Sequence, residues 1–256
     1  MKNELLILAH AIQFLTRLPV PLGEAYTAAR MSASVRYYPL VGLLVGALSA
    51  TVFWLLQPFL PELPSLILSI MAGLLITGAF HEDGLADTFD GIGGGVDREQ
   101  ALIIMRDSRL GTYGTLALIS AIALKITSLT ALTASQIPIA LVLAHGLSRL
   151  SSVAVLASSS YVRDEGAGKP VAKSTSGATL LIAAMTGVLA VLGGALVLSL
   201  QAVLTALAGL ALGHIAMRAF FERKLGGYTG DTLGAVQQTS ELGFYLGLAA
   251  LSLIHI

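Results

Sequence analysis

Three aspartates that follow an apolar segment have the spacing to share one divalent cation. They are Asp83, Asp87 and Asp90, separated by four and three residues. If residues 83–90 are helical, successive side chains turn by about 100°, and the three carboxylates fall on one face. Carboxylates this close repel one another unless a proton or cation lies between them, and oxygen ligands favour Mg²⁺ or Mn²⁺. The spacing therefore predicts a magnesium site; the alternative is a solvated acidic helix end.

Two arginines further along the chain have the spacing to bind a phosphate. The pattern Asp97-Arg98-Glu99-Gln100 resembles a capping box and predicts a short helix that runs through Met105. Arg106 and Arg109 lie three residues apart at its end, so they share a face and could clamp phosphate oxygens. The alternative is that both only compensate the helix dipole and snorkel at a membrane interface. Beside three carboxylates, we favour the phosphate clamp.

A glycine-rich segment near the C-terminus predicts a second contact to phosphate or ribose. It contains Gly227, Tyr228, Thr229 and Gly230, and Asp231 follows. Glycines let backbone N–H groups approach an anion closely, and hydroxyl groups can donate to it. The residues that follow could begin a helix, in which case Asp231 could be its N-cap and nothing more.

Ionisable residues inside the apolar segments are functional candidates, because a charge within lipid is costly. Arg149 lies near one end of its segment, where it could reach a phosphorylated substrate. Lys125 lies deeper and is expected to snorkel or to form a structural pair. His145 is equally consistent with a hydrogen-bonded core position and with a substrate contact.

The composition identifies a polytopic, all-α integral membrane protein. Of the 256 residues, 55% are hydrophobic and only 12% are charged, whereas soluble domains carry about 25% charged residues. Mean hydropathy is +0.81. The absence of cysteine excludes disulfides, zinc thiolate sites and thiol nucleophiles. A formal net charge of zero argues against nucleic acid as a partner.

Six apolar segments are long enough to cross a hydrocarbon core of about 30 Å, and a seventh is shorter. The predicted crossings are 39–60, 63–80, 110–134, 137–157 and two within 174–217 that turn near Leu200, and a seventh helix would begin near Thr232 and end at Ile256. The predicted fold is a helix bundle of six to seven transmembrane helices with short cytoplasmic loops and helices. An N-terminal helix is expected in or near the interface. Residues 1–256 are expected to form one membrane-embedded domain.

The basic residues of the connecting loops predict the orientation of the chain. With six crossings, the Lys and Arg residues between the segments, such as Lys169, Lys173 and Lys224, all fall on one side of the membrane. By the positive-inside rule that side is cytoplasmic. The acids and arginines described above lie on the same side. We therefore expect a multi-pass protein with the lipid bilayer as a partner and an active site that faces the cytoplasm; a homo-oligomer is compatible with the sequence.

Three motifs in this order resemble the bacterial cobalamin synthase family, the adenosylcobinamide-GDP ribazoletransferases. The motifs are His81-Glu82-Asp83-Gly84-Leu85-Ala86-Asp87-Thr88-Phe89-Asp90-Gly91, Met105-Arg106-Asp107-Ser108-Arg109-Leu110-Gly111-Thr112-Tyr113-Gly114 and Gly226-Gly227-Tyr228-Thr229-Gly230-Asp231-Thr232-Leu233-Gly234. The segments Phe14-Leu15-Thr16-Arg17-Leu18-Pro19 and Pro39-Leu40-Val41-Gly42 resemble the same family, so the resemblance covers essentially the whole chain. CDP-alcohol phosphotransferases are a more distant analogy, because only the core Asp87-Thr88-Phe89-Asp90-Gly91 of their signature is present.

The resemblance implies an enzyme of the bacterial inner membrane that joins α-ribazole, or its 5′-phosphate, to adenosylcobinamide-GDP and releases GMP. The product would be adenosylcobalamin or its 5′-phosphate, and the cofactor would be Mg²⁺ held by the three aspartates. The expected substrate-binding residues are His81, Arg106, Arg109, Arg149, Gly227, Tyr228, Thr229 and Gly230. Asp107 or Asp231 is expected to accept the proton of the attacking hydroxyl, with Asp107 preferred. The alternatives are another CDP-alcohol-type phosphotransferase and a cation-coupled transporter.

Overall fold

The computed structural model describes residues 2–163 and 176–252, and the regular elements of these residues are helices. They are α1 (Lys2–Leu15), α2 (Ala28–Ala33), α3 (Tyr38–Leu56), α4 (Glu62–Thr77), α5 (Phe80–Gly94), α6 (Arg98–Ile104), α7 (Thr112–Thr130), α8 (Ile137–Ser158), α9 (Gly177–Gly194), α10 (Leu200–Leu225) and α11 (Gly230–Ser252), with 3₁₀ turns at Gly23–Ala25 and Ser34–Tyr37. This confirms the predicted all-α bundle. Lys169, Lys173 and residues 253–256, which the topology prediction used, lie outside the described residues.

Five described helical segments are long and apolar enough to cross a membrane, and there are six if the bent pair α4–α5 is counted as one span. The five are Ala28–Leu56, Thr112–Thr130, Ile137–Ser158, Gly177–Gly194 and Leu200–Leu225. Together with the bent pair, they correspond to the six predicted crossings. The predicted seventh, α11, is a helix of 23 residues, but Gln237, Gln238 and Glu241 make it more polar, and it is not among the apolar candidates. Many large apolar side chains point outward, as expected of a multi-pass membrane protein; Leu75, for example, is 75% exposed.

The second predicted crossing is broken near its end. The axes of α4 and α5 differ by 86°, because Gly78 and Ala79 both adopt left-handed backbone conformations, with φ of 66° and 55°. An alanine in this conformation costs about 1–2 kcal/mol. As a result, the acidic segment does not follow a complete span at the membrane surface, which is where the sequence placed it. It is a helix, α5, that packs inside the bundle against α7 and α11.

Glycines allow α5 and α11 to approach each other closely. A Cβ atom at Gly84 would lie 2.6 Å from the backbone oxygen of Asp231, and one at Gly234 would lie 3.0 Å from the backbone oxygen of His81. Since any larger residue would push the helices apart, these glycines set the separation of the two backbones. The first turn of α11 is thereby placed against the helix that carries Asp83.

The predicted short helix between α5 and α7 is confirmed as α6. Asp97 is its N-cap, and the carboxylate accepts a hydrogen bond from the backbone N–H of Gln100 at 2.8 Å. The side-chain oxygen of Gln100 in turn accepts from the backbone N–H of Val96 at 2.8 Å. This reciprocal arrangement is the predicted capping box with one difference. The Gln100 side chain bonds to the backbone N–H of Val96, one residue before the N-cap Asp97.

Candidate active site

Asp83 and Asp87 lie one helical turn apart on α5 and face a cavity of about 640 Å³, here called the larger cavity. Arg17 and Ser108 also line it, from the end of α1 and from the loop before α7. Asp83 in addition lines a smaller cavity of about 110 Å³. The i, i+4 spacing therefore brings two of the three predicted ligands together, and Asp83 is part of the wall of both cavities.

The third predicted ligand, Asp90, forms different contacts. Its Oδ2 atom accepts a hydrogen bond from the backbone N–H of Gly111 at 2.7 Å, and its Oδ1 atom accepts one from Gly114 at 2.8 Å. The side chain is buried, and a Cβ atom at either glycine would lie 2.4 Å from the carboxylate. Asp90 thus fixes the loop that begins α7. Within the described ranges, no three His, Asp or Glu side chains form a group that could hold a metal ion by themselves.

Asp90→Asn is expected to destabilise the protein by about 1–3 kcal/mol, because the amide offers one oxygen for two buried backbone N–H donors. Thermal unfolding of the purified protein in detergent measures the change. Asp87→Asn is the matched control: it removes a carboxylate that Asp231 and Asp83 repel, so its Tm should be equal or higher. A Tm for Asp90→Asn that is no lower than that of Asp87→Asn would contradict the structural role.

Asp231 lies in the first turn of α11 and lines the smaller cavity. Its Oδ2 atom is 2.7 Å from Nη2 of Arg163, which follows α8. Backbone pairing holds the two loops together: the N–H of Val162 donates to the oxygen of Tyr228 at 3.0 Å, and the N–H of Tyr228 donates to the oxygen of Ser160 at 2.9 Å. Two loops that are distant in sequence therefore place an arginine and a carboxylate at one cavity.

The N-cap of α11 is formed by Thr229 rather than by Asp231. The hydroxyl of Thr229 accepts from the backbone N–H of Thr232 at 3.2 Å, and the hydroxyl of Thr232 accepts from the backbone N–H of Thr229 at 2.8 Å. This leaves the Asp231 carboxylate free of a capping role. Of the glycine-rich segment, Gly230 lines the smaller cavity beside it.

Gly227 and Tyr228 connect the two loops. A Cβ atom at Gly227 would lie 2.3 Å from the backbone oxygen of Ser160. The ring of Tyr228 is buried and packs edge-on against Tyr161, and burial raises the pKa of its phenol to about 12. The phenol is therefore protonated at neutral pH. Substrate contacts by Gly227, Tyr228 and Thr229 stay predictions, since their described contacts are within the protein.

Arg106 and Arg109 share no ion-pair partner among the residues that the structure describes. Arg109 forms an ion pair with Asp107 on the surface, where the two side chains are 87% and 36% exposed. Hydrogen bonds from Arg109 lower the pKa of Asp107 to about 2, which makes this carboxylate a weak base. Neither residue lines the larger or the smaller cavity. Arg106 is also exposed, but its charge acts on Tyr161 at the wall of the smaller cavity.

His81 and Arg149, both predicted to bind substrate, line the smaller cavity. Both are buried, at 5% and 2% exposure. Nη1 of Arg149 donates a hydrogen bond to the backbone oxygen of His145 at 2.9 Å and lies 3.3 Å from Nδ1 of the same residue. His145 is therefore a hydrogen-bonded core residue that supports Arg149, one of the two roles that the sequence left open.

A network of charged and amide groups joins α5, α7 and α11 inside the bundle. Nζ of Lys125 lies 2.9 Å from Oε1 of Glu241 and 3.8 Å from Oε1 of Glu82. Gln237 donates to Oε2 of Glu241 at 2.7 Å, and Gln238 donates to Oε1 of Glu82 at 2.8 Å. Lys125 thus forms a structural pair, one of its two predicted roles.

The sequence assigned no site role to two arginines that line the cavities. Arg17 lines the larger cavity, and its side chain packs against Gly78 at the break between α4 and α5. Arg163 lines the smaller cavity. Arg17 belongs to one of the segments that carry the family resemblance, which is a signal that could have marked it. Arg163 has no such signal, because its position depends on the pairing of two loops.

Comparisons with known proteins agree with the motifs. A family model described as Cobalamin-5-phosphate synthase matches residues 7–249. Relatives named adenosylcobinamide-GDP ribazoletransferase occur in Leptothrix cholodnii, with 49% identity over 94% of this chain and 93% of the relative, and in Shewanella baltica, with 45% identity over 93% and 91%. A relative of the same name in Shewanella woodyi is 40% identical over 99% of both chains.

No solved structure matches this chain significantly. The family model nevertheless covers nearly the whole chain, and the relatives are similar over nearly their full length. The chain therefore belongs to the cobalamin-5-phosphate synthase family, which makes it a membrane-bound enzyme of cobalamin synthesis.

Proposed function

We propose that this enzyme joins α-ribazole, or its 5′-phosphate, to adenosylcobinamide-GDP and releases GMP, in a Mg²⁺-dependent reaction at the cytoplasmic face of the bacterial inner membrane. The name of the relatives supports the choice of substrates. The observation that carries the proposal is the position of Asp83 in the wall of both cavities. A donor diphosphate in the larger cavity and one end of the acceptor in the smaller one would meet beside this carboxylate.

The residues that line the larger cavity fit a magnesium ion shared with a substrate. Asp83 and Asp87 offer carboxylate oxygens there, and Mg²⁺ is usually held by one or two carboxylates together with substrate phosphates and water. Such a site requires no third protein ligand, which is consistent with the lack of a three-residue cluster among the described residues. When bound, Mg²⁺ would neutralise negative charge on the donor diphosphate. For Asp90 to be a third ligand, its carboxylate would have to bind the ion while it still accepts the hydrogen bonds from the backbone N–H groups of Gly111 and Gly114.

The charged residues that line the two cavities suit a displacement at the phosphorus atom that bears cobinamide. A ribose hydroxyl of the acceptor forms a new O–P bond, the P–O bond to GMP breaks, and GMP leaves with the electron pair. If the product retains a 5′-phosphate, as the family description says, the attacking oxygen is a ribose hydroxyl other than the 5′ one. Asp231 lines the smaller cavity and is the better-placed proton acceptor, because Asp107 pairs with Arg109 on the surface. Arg17 can offset charge on the departing GMP.

The proposal predicts that the purified protein alone catalyses the transfer. In lipid nanodiscs with Mg²⁺, adenosylcobinamide-GDP and α-ribazole, we expect GMP and a new corrinoid to form in equal amounts, measured by liquid chromatography. Asp231→Asn should lower kcat by about 10²-fold or more, which is the usual contribution of a general base. Folded protein that releases no GMP with either acceptor would contradict the proposed function.

A further inference from the structure

We propose that Glu82 accepts a hydrogen bond from a water molecule on the Mg²⁺ ion of the larger cavity, and that it thereby raises the affinity of the site for the ion. This inference rests on the proposed function and adds a residue to the magnesium site. Glu82 lines the larger cavity together with Asp83 and Asp87. It would act through the water molecule, so it is a positioning residue and not a ligand of the ion.

The two carboxylate oxygens of Glu82 have different surroundings. The Oε1 atom accepts a hydrogen bond from Nε2 of Gln238 at 2.8 Å and lies 3.8 Å from Nζ of Lys125. The Oε2 atom is buried and has no hydrogen-bond partner among the described residues. A buried charged acceptor without a donor is costly. A donor group inside the larger cavity would remove that cost.

The position of Glu82 on α5 explains why it does not bind the ion directly. Side chains turn by about 100° per residue, so Asp83 and Asp87 point within about 40° of each other, and Glu82 points about 100° or more away from both. Consistently, no three His, Asp or Glu side chains of the described ranges are grouped closely enough to hold one ion. A water molecule can bridge such a gap, and Mg²⁺ usually keeps several of its waters.

The charge of Glu82 identifies the kind of donor that it needs. A diphosphate offers only acceptor atoms and is negatively charged, so it would repel this carboxylate. Water bound to a divalent cation is polarised and is a strong hydrogen-bond donor. Carboxylates that accept hydrogen bonds from the coordination shell of a metal are common in proteins, and their loss weakens metal binding about 10- to 100-fold. A cation-bound water therefore fits Oε2 better than the phosphate groups do.

The test measures Mn²⁺ binding by electron paramagnetic resonance, with inorganic pyrophosphate in place of the donor. Pyrophosphate has the diphosphate but no ribose, base or corrin, so only contacts to the ion and its waters remain. We expect Glu82→Gln to weaken Mn²⁺ binding about 10- to 100-fold. The variant should fold, because its amide oxygen can still accept from Gln238 and Lys125 keeps Glu241 at 2.9 Å. Glu222→Gln, which removes a carboxylate that lines neither cavity, is the matched control and should bind Mn²⁺ as the wild type does.

Turnover gives a second readout that a general structural role would not produce. In Glu82→Gln the Mg²⁺ concentration for half-maximal rate should rise by the same factor, whereas kcat at saturating Mg²⁺ should stay within about fivefold of the wild type. Excess Mg²⁺ should not restore Asp83→Asn, because that variant lacks a ligand. If Glu82→Gln does not fold, Lys125→Met/Glu241→Gln is compared with the same variant carrying Glu82→Gln in addition.

Two results would overturn the inference while leaving the proposed function intact. In the first, the wild type and Glu82→Gln bind Mn²⁺ equally with pyrophosphate; a difference seen only with adenosylcobinamide-GDP would then assign Oε2 to a hydroxyl or amide of the donor. In the second, kcat of Glu82→Gln stays low at saturating Mg²⁺, which would indicate a structural role. Failure of the proposed function has a different signature, namely a wild type that binds Mn²⁺ with pyrophosphate but releases no GMP.

Discussion

Asp83→Asn and Asp87→Asn are each expected to lower kcat for GMP release by about 10³-fold or more, while the protein still folds into the membrane. Both carboxylates face the larger cavity, and no hydrogen bond within the described residues engages them. An asparagine has nearly the same shape but no negative charge, so it is a poor ligand for a hard cation. Loss of one electrostatic contact to a reacting group costs about 10²- to 10³-fold, and a metal ligand is worth at least as much.

The same assay separates these residues from Asp90. Because Asp90 is engaged by the backbone of Gly111 and Gly114, Asp90→Asn should lower stability, and the protein that remains folded should keep more activity than Asp87→Asn. Turnover of Asp83→Asn or Asp87→Asn within tenfold of the wild type would contradict their role in the reaction. A Tm far below the wild type in these two variants would instead mean that they support the fold.

Glu241→Gln is expected to destabilise the protein by about 3–5 kcal/mol, because it leaves the buried ammonium group of Lys125 without its partner at 2.9 Å. Glu241 is 2% exposed and also receives hydrogen bonds from Gln237 and Tyr245. For a chain of this length the loss corresponds to a fall in Tm of roughly 10 °C. Unfolding of the purified protein in detergent, followed by circular dichroism, measures it.

Glu222→Gln is the matched control for this change. Glu222 also forms an ion pair, with Arg218 at 3.0 Å, but its side chain is 32% exposed, and exposed pairs of this kind contribute about 0–1 kcal/mol. Lys125→Met combined with Glu241→Gln and Glu82→Gln should recover part of the loss, since no buried charge of the Lys125 ion pairs then remains. Equal effects of Glu241→Gln and Glu222→Gln would show that the network does not support the fold.

The paired charges of this network also bear on the transporter alternative. A transport pathway needs ionisable groups that face a water-filled route. Lys125 instead bonds to Glu241, and Glu82 receives a hydrogen bond from Gln238. The paired ammonium of Lys125 is therefore more typical of a structural network than of a transport pathway, whereas Glu82 also lines the larger cavity, and its Oε2 atom has no hydrogen-bond partner among the described residues.

The crossings were predictable because lipid imposes a simple rule on composition and length. α8, for example, was expected at 137–157 and is observed as Ile137–Ser158. The 86° break between α4 and α5 was not predictable in this way, since it depends on left-handed backbone at Ala79, a residue that rarely adopts it. The turn in the segment 174–217 lies a few residues before the expected position, because Ser199 caps α10.

The candidate site was predictable only where local spacing determines it. Asp83 and Asp87 share a cavity because they are one turn apart on a helix. Asp90 has the same kind of spacing, but contacts to Gly111 and Gly114 decide its environment, and these lie more than 20 residues away. The pairs Arg163–Asp231 and Lys125–Glu241 likewise depend on how distant segments pack. No local pattern carries that information.

We propose that Asp83 and Asp87 hold a divalent ion together with the donor diphosphate. Electron paramagnetic resonance with Mn²⁺ in place of Mg²⁺ tests it directly, on purified wild type and on the Asp83→Asn/Asp87→Asn variant. We predict tight Mn²⁺ binding to the wild type once adenosylcobinamide-GDP is added, and at least about tenfold weaker binding to the double variant. Equally tight binding of Mn²⁺ to both proteins in the presence of the donor would contradict the account.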